Sequence, residues 1–154
     1  MTKEAYGVTV FCDDIRFEVN GKMTLVGCYG AQLNFNGPPP GILPTFSALV
    51  SLRFPKEYTF ETLNLTILKT EGSESVEIFS NDSKVSSDAF SDTPEPGEVD
   101  ANEKLLSVVV PVQWSPLVFS APGTISVRAK LDSGAEVRAG SLQVNFPAVT
   151  EVGD

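Results

Sequence analysis

A single antiparallel β fold of about eight strands is what this sequence predicts, and three observations carry the prediction. Nearly every apolar run is short, rich in Val, Ile, Thr and aromatic residues, and bounded by Gly, Pro, Asn or Asp. No long window shows the 3.6-residue period of an amphipathic helix. Asn20-Gly21 and Asp132-Ser133-Gly134 each supply hairpin turn chemistry between two such runs. The expected strands are 6–18, 22–35, 45–54, 60–69, 74–80, 104–114, 123–131 and 135–146. Without helices to cover a parallel sheet, such strands form a sandwich or barrel. The 154-residue chain has the length of one domain, assigned here to 1–146, with 147–154 as a flexible tail.

The first hairpin has two competing registers. A two-residue loop at Asn20-Gly21 would oppose Glu18 to Met23 and Arg16 to Leu25, mixing the faces. A three-residue loop, Val19-Asn20-Gly21 with Gly21 left-handed, pairs Glu18 with Lys22, Phe17 with Met23, Arg16 with Thr24 and Ile15 with Leu25. Each such like-with-like or charge-matched pair contributes about 0.2–1 kcal/mol, which selects the three-residue loop. Extended, that register opposes Phe11 to Tyr29 and Cys12 to Cys28, with Cβ atoms ~4.5–5.5 Å apart. That separation is somewhat long for a relaxed disulfide, so two buried, reduced cysteines used as small apolar residues are expected, with a redox pair as the alternative. Asp14, Arg16 and Glu18 then alternate on a solvent face, and Asp13 lies near Gly27.

The second hairpin follows the same rule. Asp132-Ser133-Gly134 sets Leu131 against Ala135, Lys130 against Glu136, Ala129 against Val137 and Arg128 against Arg138. The apolar parity of Val137 and Ala139 flips to Leu142, Val144 and Phe146, which predicts a β-bulge at Gly140-Ser141. Asn36-Gly37-Pro38-Pro39-Pro40-Gly41 reads as a stiff connector outside any ladder. Residues 82–103 hold seven acids and one lysine and read as an acidic loop.

Composition then excludes most catalytic designs. With no histidine, there is no Ser-His-Asp or Cys-His arrangement and no histidine zinc site. Two cysteines are too few for a four-cysteine metal site within one chain. Phosphate-binding glycine loops and the GxSxG elbow are missing. No cofactor is expected. A net charge of −9 argues against direct contact with nucleic acid or an anionic membrane. No apolar run is long enough to span a bilayer, no signal-peptide pattern opens the chain, and two cysteines do not make a disulfide scaffold. A cytoplasmic protein is expected.

Several constellations have both a functional and a structural reading. Asp13 and Asp14 could be paired carboxylates or parts of a surface charge ladder. Asp82, Asp88, Asp92, Glu95, Glu98, Asp100 and Glu103 could bind Ca²⁺, but they lack EF-hand spacing. Arg128 opposite Arg138, beside Lys130, calls for compensating acids on adjacent strands, or else for an anionic ligand or partner. Trp114, between Pro111 and Pro116, is a core residue or an edge aromatic suited to an interface.

The string Cys12-Asp13-Asp14-Ile15-Arg16, with Glu18, Gly21-Lys22 and Gly27, resembles a family of small bacterial and phage-associated β proteins of unknown function. Pro122-Gly123-Thr124-Ile125-Ser126-Val127 is similar to the penultimate strand of immunoglobulin-like sandwiches. The fold expected is therefore an immunoglobulin-like or C2-like β-sandwich, and neither resemblance implies a catalytic residue. The expected function is a non-enzymatic binding module, making protein–protein contact through loops or a sheet edge. Candidate contact residues are Arg128, Lys130, Arg138 and Trp114, with an unidentified protein or a second copy of the chain as partner. The alternatives are a phage or assembly component, an acidic nucleic-acid-mimicking inhibitor of a DNA-binding protein, and a hydrolase using Asp13 or Asp14.

Overall fold

A computed structural model describes residues 4–55, 58, 60–84 and 105–148. Eleven strands are found among them: β1 Tyr6–Phe17, β2 Met23–Cys28, β3 Gln32–Asn34, β4 Gly41–Leu43, β5 Phe46–Pro55, β6 Thr62–Glu71, β7 Glu74–Lys84, β8 Leu105–Trp114, β9 Leu117–Phe119, β10 Gly123–Leu131 and β11 Glu136–Asn145. They form a four-stranded sheet in the order β2-β1-β5-β8, a five-stranded sheet in the order β3-β11-β10-β6-β7, and the pair β4-β9. The fold is all-β, with more strands than the eight expected.

The extra strands have identifiable causes. The expected strand 22–35 is two strands in different sheets, because the chain leaves β2 after Cys28 and joins β11 at Gln32. That β3–β11 contact is parallel, whereas the other strand pairs are antiparallel. The proline connector is shorter than expected, since Gly41 opens β4 and pairs with Phe119. Pro111 does not interrupt β8. It opposes Leu49 within a ladder that runs from Phe46–Trp114 to Pro55–Leu105, and β8 lies at a sheet edge, where a missing N–H is tolerated. β7 extends to Lys84, into the segment expected to be an acidic loop. Residues 85–103 of that loop and 149–154 of the expected tail lie outside the described residues.

Both hairpin registers match the expectation. Cys12 opposes Cys28, Ile15 opposes Leu25, Arg16 opposes Thr24 and Phe17 opposes Met23. The Glu18 N–H donates to the Lys22 carbonyl at 2.7 Å, and Asn20 joins Gly21 in the left-handed region. At the second turn Leu131 N–H donates to the Ala135 carbonyl at 2.9 Å, with Arg128 opposite Arg138. The bulge falls one residue earlier than expected: Ala139 and Gly140 together oppose Val127, between the Ser126–Ser141 and Arg128–Arg138 pairs. Beyond it Leu142 and Val144 are buried as the parity flip requires, while Phe146 is half-buried.

The two larger sheets contribute to one hydrophobic core. β5 supplies Phe46, Ala48, Val50, Leu52 and Phe54, and β10 supplies Ile125, Val127, Ala129 and Leu131. Each large side chain among them contributes about 1.5–3 kcal/mol by leaving water. β1 meets β11 closely at Gly7, where an added Cβ would lie 2.7 Å from the Ala139 Cβ. Next to it the Thr9 hydroxyl donates to the Ala139 carbonyl at 2.6 Å. The β4–β9 pair buries Phe119, and Phe35 stacks on Phe146 at 4.8 Å beside it.

Candidate interaction surfaces

Alternation along β10 turns Arg128 and Lys130 to the face opposite the core, where β11 adds Arg138 and Glu136. The like-charged pair is compensated on the same sheet: the Arg128 Nε lies 3.7 Å from the Glu136 Oε1, between side chains 39% and 36% exposed. At that exposure the pair contributes at most about 1 kcal/mol. On the other side of β10, Thr66 adjoins Arg128 and Asn64 adjoins Lys130. The Thr66 hydroxyl donates to the Asn64 Oδ1, and the Asn64 amide donates to the Asp82 Oδ1, each at 2.6 Å. The structure thus gathers Arg128, Lys130 and Arg138 on one polar face.

Trp114 lies away from that face. Its ring packs against Phe46 at 5.7 Å, and its indole N–H donates to the Ile78 carbonyl at 3.0 Å. Ile78 is the unpaired residue at a β7 bulge, between the Ile67–Phe79 and Leu68–Glu77 pairs. An extra residue frees a carbonyl from the ladder, and Trp114 satisfies it. This links β8 of one sheet to β7 of the other.

The acids of the first hairpin are separated rather than paired. Asp13 accepts the Tyr29 hydroxyl and sits against Gly27, where any Cβ would collide with its carboxylate. Burial and the Asp13 carboxylate push the Tyr29 hydroxyl well above its ordinary range, so it remains a donor. Asp14 instead meets Arg16 at 3.6 Å and accepts from the Gln113 amide at 3.4 Å. The neighbouring Cys12 thiol is pushed up to about 11, first by burial and then by Cys28, Asp13 and Asp14, although its hydrogen bond to the Asp14 carbonyl opposes the rise. That is the reverse of a thiol activated for nucleophilic attack. No group of three or more potential metal ligands occurs among the described residues.

The surface that the candidate list lacks is apolar. β1 from Tyr6 to Val10, with β5 and β8, turns Tyr6, Val8, Val10, Leu49, Val109 and Pro111 away from the core. Cross-strand rows place Val8 beside Ser51 and Val109, and Val10 beside Leu49 and Pro111. Tyr6, Val8 and Val109 are 55%, 57% and 48% exposed, and among the described residues no element covers them. The strip adjoins a second apolar feature. β5 pairs with β1 only as far as Cys12, so the rest of the hairpin projects, carrying Phe17, Val19 and Met23 exposed at its tip. The Gln113 amide props the projection by donating to the Ile15 carbonyl at 3.0 Å. One signal for the strip was present in the sequence: Val8-Thr9-Val10-Phe11 and Val108-Val109-Val110-Pro111-Val112 are apolar at both parities. A strand apolar on both faces needs cover on both.

No helix among the described residues is long and apolar enough to cross a membrane. No curated protein matches the chain. A family model does match, over residues 7–145, which takes in both hairpin turns, the core strands and the outward strip apart from Tyr6. The chain therefore belongs to DUF6941, a family of unknown function.

Proposed function

We propose that the chain is a non-enzymatic interaction module, an immunoglobulin- or C2-like β-sandwich that binds a protein partner through the outward face of β1, β5 and β8. The observation that carries this reading is the outward apolar strip, with Tyr6, Val8, Val109 and Pro111 exposed and Val10 and Leu49 half-buried between them. Contiguous exposed apolar surface mainly serves association, because leaving it in water costs about 25 cal/mol per Å². The projecting hairpin extends the contact, and Arg128, Lys130 and Arg138 offer a second, polar one on the other sheet. Free thiols at Cys12 and Cys28 fit a cytoplasmic setting.

Affinity purification from the native host, followed by binding of the recovered partner in purified form, tests the reading. Val8→Asp with Val109→Asp is expected to weaken binding at least tenfold, and Arg128→Glu with Arg138→Glu to weaken it less. Unchanged affinity in the first pair would remove the strip from the interface. The same strip also fits a second copy of the chain, as an assembly component requires. Light scattering across a concentration series separates the two, since self-association that the aspartates abolish identifies the copy as partner.

A further inference from the structure

We propose that Cys12 and Cys28 form a cross-strand disulfide when the protein meets hydrogen peroxide, making the β1–β2 hairpin a reversible thiol switch. The inference goes beyond the binding role and does not depend on it. Its basis is register: the two residues are directly opposed on antiparallel strands, and both thiols are free. Opposed residues on antiparallel strands have Cα atoms about 4.5–5.5 Å apart. Disulfides span Cα separations of about 4.4–6.8 Å, so the backbones are in range, and the Cβ atoms close by up to about 1 Å as the bond forms.

The two thiols are not equivalent, and the difference assigns their roles. Cys28, on edge strand β2, is exposed; Cys12, on β1 between Cys28 and Ser47, is fully buried. A peroxide therefore reaches Cys28 first. The Cys28 thiolate sulfur attacks one peroxide oxygen; an S–O bond forms, the O–O bond breaks, and water leaves after protonation. The Cys12 thiolate then attacks the sulfenic sulfur; the S–S bond forms, the S–O bond breaks, and a second water leaves. Two thiols and one peroxide give one disulfide and two waters, each sulfur losing one electron.

Cys12 governs the pace. Its thiol donates to the Asp14 carbonyl at 3.4 Å and must leave that bond to react. The ionisable groups around it are Asp13 and Asp14 on its own strand, Cys28 across the ladder and Tyr29 beyond, while its β5 neighbour, Ser47, is neutral. Burial and those acids keep the thiol protonated, with a pKa near 11. The second step is therefore slow at neutral pH and quickens as pH rises toward that value. Once formed, the bond closes the hairpin whose tip presents Phe17, Val19 and Met23.

The test treats the purified full chain with hydrogen peroxide, digests it with trypsin without reduction, and counts thiols in denaturant. The expected product has no free thiol, an intact mass lower by about two hydrogens, and a peptide pair joining the fragment that ends at Arg16 to the one that begins at Met23. Its rate of formation should rise by as much as about a hundredfold from pH 7 to pH 9, following the thiolate fraction of a group with a pKa near 11. Reduction should restore both thiols, and Cys28→Ser should leave Cys12 unreacted. Persistence of both thiols, a Cys28-linked dimer, or sulfinic acid at Cys28 with a free Cys12 would each overturn the proposal.

Discussion

Gly21 and Gly27 have similar left-handed backbones, with φ of 74° and 66°, yet the same substitution should affect them differently. An added methyl at Gly21 meets nothing within 4 Å, so Gly21→Ala costs only the backbone strain, about 1 kcal/mol. At Gly27 the methyl runs into the Asp13 carboxylate, which is held in place by the Tyr29 hydroxyl. Gly27→Ala should therefore cost strain plus a disrupted buried hydrogen bond, about 2–4 kcal/mol. Urea denaturation of the two variants checks the ordering; equal losses would mean that Asp13 moves aside freely. Gly21 was readable from its turn dipeptide alone. Asp13 was placeable beside Gly27 and Tyr29 opposite Phe11 by register, but their hydrogen bond was not, because register fixes facing pairs and not which side chains meet diagonally.

Among the elements, β6 and β9 are joined by charge as well as by packing. The Lys69 ammonium lies 2.8 Å from the Glu71 Oε1 and donates to the Val118 carbonyl at 2.8 Å, while the Ser120 N–H donates to the Glu71 Oε2 at 3.0 Å. The Lys69 ammonium foremost, helped by the Ser120 N–H, holds the Glu71 carboxyl below its ordinary 4.5, against the opposing effect of burial. A depressed folded-state pKa contributes stability above the unfolded value, and that stability is lost as pH falls through the folded one. Glu71→Gln is thus expected to lose about 1–2 kcal/mol at pH 7 and to approach the parent's stability near pH 3. Denaturation at the two pH values checks it, and a loss that persists in acid would assign the effect to packing. Long, strictly alternating strands such as β10 were legible beforehand, as was the parity flip that marks the β11 bulge. β3, β4 and β9 were not, since three residues carry no measurable period. The β3–β11 pairing joins Gln32 to Gln143, and no local pattern encodes such a partner.

For the molecule as a whole, one apolar surface forms the core to which both larger sheets contribute, and another is left outside. The double-parity apolar runs in β1 and β8 carry a signal that both faces seek cover, but only the sheet order shows which face lacks it. Val8→Asp with Val109→Asp should change folding stability by no more than about 0.5 kcal/mol, because both sites are already solvated. The pair should also shorten retention on a hydrophobic-interaction column. Unaltered retention would mean that the strip is too broken to act as one surface. The topology imposes a further constraint, on the ribosome. β11 is an interior strand, flanked by β3 from the first quarter of the chain and by β10, and it closes the core with Leu142 and Val144. Residues 136–145 must therefore leave the exit tunnel before either neighbour can complete its pairing. Until then the five-stranded sheet lacks its second strand, although the β6–β7 hairpin and the sheet of β1, β2, β5 and β8 can already pair. Synthesis stalled before residue 136 should leave β3 and β10, the two strands that pair with β11, open to protease.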